Sequence, residues 1–444
     1  MRKVLILGAG MVAKPMIDYF LHSGKIHVIN ATRTLSKAEK IIKGRDNATI
    51  VKLIANDDVA FERLITQSDV VVSLLPYAYH VKTANFCLRH QKHLVTTSYV
   101  SPEMNALNTK AEQRNVIILN EIGLDPGIDH MSAMRIIDNV HERGGKIKVF
   151  RSYCGGFPSP GANNNPWRYK FSWSPKGVLM AGRNRAQYLK NGKIIQIDGK
   201  DLFEHHWPIN IENLELETYP NRDSLQYIKL YNIPETNTMF RGTLRYPGWC
   251  RTMRAVSQLK LLEEKVINNI QGLSNRQILQ KILDLRSDQD PRKHIHKILE
   301  IDENDEIIKK LEWLGIFSGD KFDGEQITPI DFLSIIMMDK LRYNDHERDM
   351  VVLYHDFVAE FPNRREHITS TLIDTGLIGG DSSMSRTVSL PAAIAVKLIL
   401  EGKINVTGVQ IPVKKQIYEP VLEELEHLGI VCQEQTEVED SDDA

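Results

Sequence analysis

The sequence predicts an α/β protein that begins with a doubly wound parallel sheet. Three observations lead there. Short apolar segments alternate with helical ones from the first residues to about 125. A glycine-bearing turn, Gly8-Ala9-Gly10-Met11-Val12-Ala13, stands between the first strand and the first helix. A stretch rich in Gly, Pro, Asn and aromatic residues follows, from about 126 to 250. Strands alternating with helices imply parallel βαβ units. Strand-like pieces without helices between them imply a mixed or antiparallel sheet.

The elements follow in order. A strand at Val4–Leu7 leads to a helix through Pro15–His22. Ile26–Asn30, Ser36–Lys43, Ile50–Ile54, Val59–Gln67, Val70–Leu74 and Val81–Arg89 continue the alternation. His93–Thr97, a helix near Pro102–Arg114 and Val116–Leu119 complete it. Ile147–Ser152 and Leu225–Tyr231 read as strands of a second sheet. Helical periodicity then takes over from about 252 to 344, as at Ser274–Leu285 and Asp331–Leu341. Asp349–Phe361 and His367–Thr375 read as a strand hairpin, and Pro391–Leu400 as a buried helix. The acidic end, Glu434–Ala444, is expected to be a disordered tail. The economical reading is a small all-α domain inserted in a mixed-sheet α+β domain.

Bulk properties narrow the function. A chain of 444 residues suggests two to three domains. Its net charge of -1, with no long basic run, gives no reason to expect nucleic acid or membrane partners and suits a small polar substrate. Cys87, Cys154, Cys250 and Cys432 form no C-x-x-C and are too sparse for a metal site or a disulfide framework. The adjacent His205 and His206 lack further ligands at zinc spacing, so no metal is expected. No apolar run approaches the length of a membrane helix. Free thiols and a start directly in a strand point to the cytoplasm.

The turn at Gly8–Ala13 has the form G-x-G-x-x-A, after a strand and before a helix, which is the Rossmann dinucleotide pattern. Gly8 permits the tight turn, Gly10 leaves space for a pyrophosphate, and Ala13 permits close helix–strand packing. Met11 and Val12 complete the cofactor turn, and the helix N-terminus offers N–H groups to the phosphates. The second strand ends at Thr32-Arg33-Thr34, with no acid to bond a ribose 2′-hydroxyl. A guanidinium flanked by hydroxyls suits a 2′-phosphate, which predicts NADP(H) over NAD(H). Leu75, past the fourth strand, is expected near the nicotinamide.

Further segments combine glycine, proline and functional side chains in ways that core packing does not require. They are Thr97-Ser98-Tyr99, the run Asn120 to His130 with Gly123-Leu124-Asp125-Pro126-Gly127, Tyr153-Cys154-Gly155-Gly156, and Trp173-Ser174-Pro175. Asn221-Arg222-Asp223 and Arg241-Gly242-Thr243-Leu244-Arg245-Tyr246 add arginines. With the glycine turn, Arg33, Asn344–Met350 and Gly379–Met384, these residues resemble the saccharopine dehydrogenase (NADP+, L-glutamate-forming) family nearly end to end. The stretch from 252 to 330 matches least well.

The resemblance implies three domains. Residues 1–125 with 386–444 would form the Rossmann NADP-binding domain. Residues 126–251 with 345–385 would form the substrate and dimerisation domain of a homodimer, and 252–344 the helical insertion. It implies interconversion of saccharopine and water with L-glutamate and 2-aminoadipate 6-semialdehyde through an imine, in lysine synthesis or breakdown. It places substrate or catalytic roles at Ser98, Tyr99, Asp125, Cys154, Arg222, Thr243 and Arg245. The chemistry fits: Arg222 and Arg245 can each clamp a carboxylate, and the backbone at Thr243 and Leu244 can hold another oxygen. Asp125, Tyr99 and Cys154 are the candidates for proton transfer, and Ser174 is expected to border the cofactor. Cys154 also suits a plain buried position. Two alternatives stand beside this reading. A carboxynorspermidine dehydrogenase or homospermidine synthase-like enzyme would need acidic or aromatic recognition of amines, which the arginines disfavour. A non-catalytic NADP-binding regulator has no use for Asp125, Tyr99 and Cys154.

Overall fold

In the computed structural model, which describes residues 1–440, the chain divides into two compact units. One comprises 1–147 and 355 onward, the other 148–354.

The first unit opens with β1 (Arg2–Leu7), α1 (Lys14–His22), β2 (Ile26–Thr32), α2 (Leu35–Ile42) and β3 (Ala48–Lys52). It continues through α3 (Asp58–Thr66), β4 (Val70–Ser73), α4 (His80–Arg89) and β5 (His93–Val95). The helix expected near Pro102–Arg114 is split into α5 (Pro102–Asn105) and α6 (Asn108–Gln113), before β6 (Ile117–Leu119) and α7 (Ile128–Glu142). Val70–Ser73 and Ile117–Leu119 are buried throughout, as expected of parallel strands covered on both faces. Leu5, Leu7, Ile29, Val71, Leu94 and Ile118 from five neighbouring strands share one core with the helices Phe61 and Phe86 come from.

The second unit carries β7 (Lys146–Pro158) from residue 148 on, then α8 (Pro175–Ala181), β8 (Ala186–Lys190), β9 (Lys193–Ile197), β10 (Trp207–Ile211) and β11 (Leu214–Pro220). After α9 (Gln226–Leu230) comes β12 (Thr238–Arg245), which pairs parallel with β7 and antiparallel with β11. This mixed sheet is followed by α10 (Trp249–Gln258), β13 (Ile267–Asn268), α11 (Asn275–Ile282), α12 (Pro291–Leu299), α13 (Glu306–Leu314), β14 (Gln326–Ile327) and α14 (Pro329–Lys340). These helices share a continuous core with the sheet: Phe157, Leu216 and Leu244 belong to the same cluster as Ile278, Leu311 and Phe332.

The chain re-enters the first unit within β15 (Asp349–Phe361) and continues as β16 (Arg364–Thr375), α15 (Ser383–Leu400), β17 (Gly408–Gln410), α16 (Lys415–His427) and β18 (Gln433–Asp440). β17 pairs parallel with β6, giving a seven-stranded sheet of order β17-β6-β5-β4-β1-β2-β3. Reading inward from β3, the first six strands have the doubly wound order 3-2-1-4-5-6, whose switch point lies between β1 and β4.

Three sequence expectations are corrected. Leu225–Tyr231 is not a strand: Gln226–Leu230 is helical. Tyr227 and Tyr231 stand four apart, both buried, with ring centroids 5.4 Å apart, so the helical period prevails over aromatic strand preference. The acidic end is not a disordered tail over Glu434–Asp440, because Gln433–Asp440 pairs antiparallel with β16. Arg365 stands opposite Glu439, a pairing that favours the strand electrostatically. Residues 441–444 lie outside the described residues. Finally, Ser383–Leu400 is by length and composition apolar enough to cross a membrane, longer than expected, and it is mostly buried within the protein. All four cysteines are buried.

Candidate active site

The glycine turn sits at the switch point. Gly8 has φ +114°, and a Cβ there would lie 3.1 Å from the Leu74 carbonyl oxygen, so a side chain is excluded by both strain and space. A Cβ on Gly10 would meet nothing within 4 Å, which leaves the space that a pyrophosphate needs. Ala13 is fully buried before α1, whereas Met11 is exposed. The Gly8 N–H donates to Ala31 O at 2.8 Å, which ties the turn to the end of β2. Two residues beyond that contact Arg33 is exposed, with the Thr34 N–H donating to Thr32 Oγ1. Among the described residues no acid pairs with Arg33. Leu74 and Leu75 are half-buried beyond β4, beside Gly8. These residues fit a bound NADP.

One residue of this turn was missed. Asn30 is fully buried, and its Nδ2 donates to the carbonyls of Ile6 (3.2 Å) and Gly8 (2.8 Å). A polar residue inside an otherwise apolar strand was the available signal. Its side chain pins the turn from below.

The second group in this unit is built by loops after β5 and β6. Tyr99 Oη donates to Asp125 Oδ1 at 2.8 Å, so two candidate proton carriers are joined directly. Asp125 lies in a knot closed by Gly123 N–H to Pro126 O (2.9 Å) and Ile128 N–H to Gly123 O (2.9 Å). Gly127 has φ +150°, and a Cβ there would fall 2.0 Å from Gly123 O, so a glycine is needed at 127 to close the knot. Buried Glu121 links both loops. Its Oε1 accepts from Val100 N–H (2.9 Å), its Oε2 meets His130 Nε2 (2.8 Å), and its own N–H donates to Ser98 O (3.1 Å). His130 is therefore a brace for the site.

Ser98 Oγ lies 2.9 Å from Nε2 of His80, whose Nδ1 lies 3.0 Å from Ser73 Oγ. Burial lowers the His80 pKa to about 4, so the imidazole is neutral near pH 7 and holds the serine by hydrogen bonding alone. The sequence reading missed His80, which lies in a helix start with no motif around it.

In the other unit, register aligns Tyr219 with Thr243 and Thr243 with Cys154 across β11, β12 and β7. Gly155 is pressed on Leu244: a Cβ would sit 2.5 Å from the Leu244 carbonyl oxygen. Cys154 is buried and Thr243 half-buried. Arg222 is exposed in the turn after β11, with φ +53° and its carbonyl accepting from Gln187 N–H (2.9 Å). Ser174 Oγ caps α8 by accepting from Gly177 N–H at 3.2 Å.

Arg245 is the unusual residue. It is 5% exposed, yet among the described residues no carboxylate pairs with it. Nη1 donates to Leu244 O at 2.7 Å and Nε has no partner. Its guanidinium carbon lies 5.2 Å from the Tyr169 ring centre and 5.5 Å from that of Trp249. A guanidinium does not lose its proton in a protein. A buried cation without a counter-ion is costly, so an anion is the expected ligand.

The fold of the first unit is that of a Rossmann oxidoreductase, and the second unit holds a buried cation without an acid partner among the described residues. Comparison with known proteins narrows that class. The family model for the saccharopine dehydrogenase NADP binding domain matches residues 4–119, and that for the saccharopine dehydrogenase C-terminal domain matches 123–430. The saccharopine dehydrogenase [NADP(+), L-glutamate-forming] of Schizosaccharomyces pombe is 39% identical, covering 98% of this chain and 99% of its own. The solved apo saccharopine dehydrogenase (L-Glu forming) from Saccharomyces cerevisiae superposes with a TM-score of 0.86 at 38% identity, covering 98% of this chain and 100% of that one. An alpha-aminoadipic semialdehyde synthase of Arabidopsis thaliana is 37% identical over 98% of this chain, which spans 45% of that longer protein. The chain belongs to the saccharopine dehydrogenase family.

Proposed function

We propose that this protein is an NADP-dependent oxidoreductase that interconverts saccharopine and water with L-glutamate and 2-aminoadipate 6-semialdehyde. The observation that carries this reading is Arg245, a buried cation without an acid partner, which matches a substrate bearing three carboxylates and opposes a polyamine.

NADP, when bound, accepts a hydride in the oxidative direction and NADPH returns one in the synthetic direction. The residues do the rest. Arg33, flanked by Thr32 and Thr34, holds the 2′-phosphate, and Gly8, Gly10, Met11, Val12 and Ala13 hold the pyrophosphate. Leu75 and Ser174 border the cofactor. Arg245 and Arg222 each clamp a substrate carboxylate, and Ser98, Thr243 and the Leu244 backbone bond further oxygens. In the oxidative direction the secondary ammonium must first lose a proton, because only the free amine can release hydride from its neighbouring carbon. The Asp125 carboxylate, hydrogen-bonded to Tyr99, takes that proton. The resulting protonated imine is then attacked by water, which loses a proton as its C–O bond forms. Collapse of the carbinolamine breaks the C–N bond as the leaving nitrogen gains a proton and the hydroxyl loses one, releasing glutamate and the semialdehyde. Tyr99 and Cys154 are the further proton carriers for these steps.

The protein acts as a cytoplasmic homodimer, a reading supported by family resemblance, buried cysteines and an interior position for its longest apolar helix. Its mass by light scattering tests the dimer. Saccharopine with NADP, followed by NADPH absorbance, tests the activity. Turnover of carboxynorspermidine instead, or NADP binding without turnover of either compound, would point to the polyamine enzyme or to the regulator.

A further inference from the structure

Around Arg245 the structure gathers buried hydrogen-bond donors, and the Leu244 carbonyl, taken by Nη1 at 2.7 Å, leaves Nε without an acceptor. Tyr169 is 1% exposed and Trp249 3% exposed, and their ring centroids lie 4.6 Å apart. The Arg245 guanidinium lies over both rings. Arg245 Nε, Trp249 Nε1 and Tyr169 Oη are all buried without a hydrogen-bond partner among the described residues. A guanidinium and an indole can only donate. Burial raises the pKa of the Tyr169 hydroxyl, so it keeps its proton at neutral pH and also has one to donate. Trp173, beside the Tyr169 oxygen, is again a donor and offers that proton nothing.

The nearest acid in the strand pairing does not resolve this. Glu217 stands opposite Arg245 across β11 and β12. Its two oxygens are committed to the start of α10, accepting from Gly248 N–H at 2.9 Å and Cys250 N–H at 2.6 Å. Three buried donors of different chemistry therefore lie around one guanidinium without acceptors. Buried polar groups are normally satisfied, and a cluster of one polarity that is not points to a ligand of the other.

We propose that Trp249 and Tyr169 join Arg245 in a cradle for one carboxylate of the substrate, with the indole N–H and the phenol O–H each donating to it. This deepens the functional reading above and rests on it for the identity of the substrate. The cradle would discriminate by the principle that a site built to hydrogen-bond a group rejects analogues lacking it, because the buried donors are then left unpaired.

The test uses the NADP-loaded full chain with Tyr169→Phe, which removes only the hydroxyl, and Trp249→Phe, which removes the indole N–H and leaves a smaller aromatic ring. Each variant is expected to raise the saccharopine KM about tenfold while the NADP KM stays within about twofold. Tyr169→Phe is expected to hold or raise the melting temperature without substrate, since it removes a hydroxyl lacking an acceptor. The second readout is independent of turnover. The chain has 5 tryptophans, so indole 15N–1H spectra give few peaks, and the one absent from Trp249→Phe belongs to Trp249. That peak is expected to move when glutarate, a plain dicarboxylate, is added. Unchanged saccharopine KM in both variants, or a Trp249 peak indifferent to both glutarate and saccharopine, overturns the cradle. A lower melting temperature in Tyr169→Phe with unchanged KM assigns the hydroxyl to a buried water and also overturns it. A Trp249 peak that responds to glutarate in a wild-type protein inert toward saccharopine leaves the cradle standing and removes the substrate assignment.

Discussion

At the cofactor turn, an anion site is made from backbone. Gly8 and Gly10 supply bare main chain, Ala13 lets the helix approach, and the one charged residue, Arg33, is exposed. At Arg245 the means are opposite: the charge is buried, aromatic rings flank it, and the donors are side chains. A backbone site tolerates many phosphate esters, because its donors sit on every residue and its charge is partial. A buried guanidinium cannot be left without a partner at low cost, so it enforces an anion of the right shape. Under the proposed function, the first region recognises a common cofactor and the second selects the substrate.

The largest effects should fall where side chains carry the chemistry. Asp125→Asn removes the proton acceptor bonded to Tyr99 while keeping its shape. It should lower kcat by about 10²–10⁴ with NADP affinity unchanged, measured by steady-state kinetics and cofactor titration. Equal losses in both would place Asp125 with the scaffold. Arg245→Ala should raise the saccharopine KM about 10²-fold or more, the cost of an unpaired carboxylate, and leave the NADP KM within about twofold. Parallel increases would remove the contrast drawn between the two regions.

Smaller effects should mark the backbone site. Arg33→Ala should raise the NADP KM about 10–100-fold and leave the NAD KM nearly constant, since only the 2′-phosphate contact is lost. Asn30→Ala should cost about 1–3 kcal/mol of stability by leaving the Ile6 and Gly8 carbonyls with fewer donors, and should weaken NADP binding with it. Urea titration with and without NADP separates the two.

The smallest effect lies away from both regions. Hydrogen bonds from Arg143 hold the buried Glu366 carboxyl below its ordinary pKa; burial opposes them, and bonds from Arg364 add to them. A carboxyl with a lowered folded pKa stabilises the fold above its unfolded value of about 4.3, and that stability is lost as pH falls through the folded value. Glu366→Gln should therefore cost about 1–2 kcal/mol at pH 7 and make the acid end of the stability profile shallower. A constant difference between variant and wild type from pH 7 to pH 3 would contradict this.

Legibility in the sequence follows the same division. The parallel sheet was readable because its strands are contiguous apolar runs, and the cofactor turn because its glycines stand five residues from its alanine at most. The proton-handling loops were marked by Asp125-Pro126-Gly127, a string that core packing does not ask for. Asn30, His80 and Glu121 were not readable, because each acts across a fold contact with a residue distant in the chain. Arg245 was legible through family resemblance, whereas Tyr169 and Trp249 carry no motif and are marked only by the guanidinium lying over both rings. The final strand was hidden for another reason. Its side chains are polar and it is held by main-chain pairing to β16, which leaves no periodic apolar signal.

The most direct test runs the synthetic reaction, supplying NADPH, L-glutamate and 2-aminoadipate 6-semialdehyde together and singly. The account predicts NADPH consumption only when both carbon substrates are present, with one saccharopine formed per NADPH by mass spectrometry. Consumption with the semialdehyde alone, or formation of any other product, would contradict it.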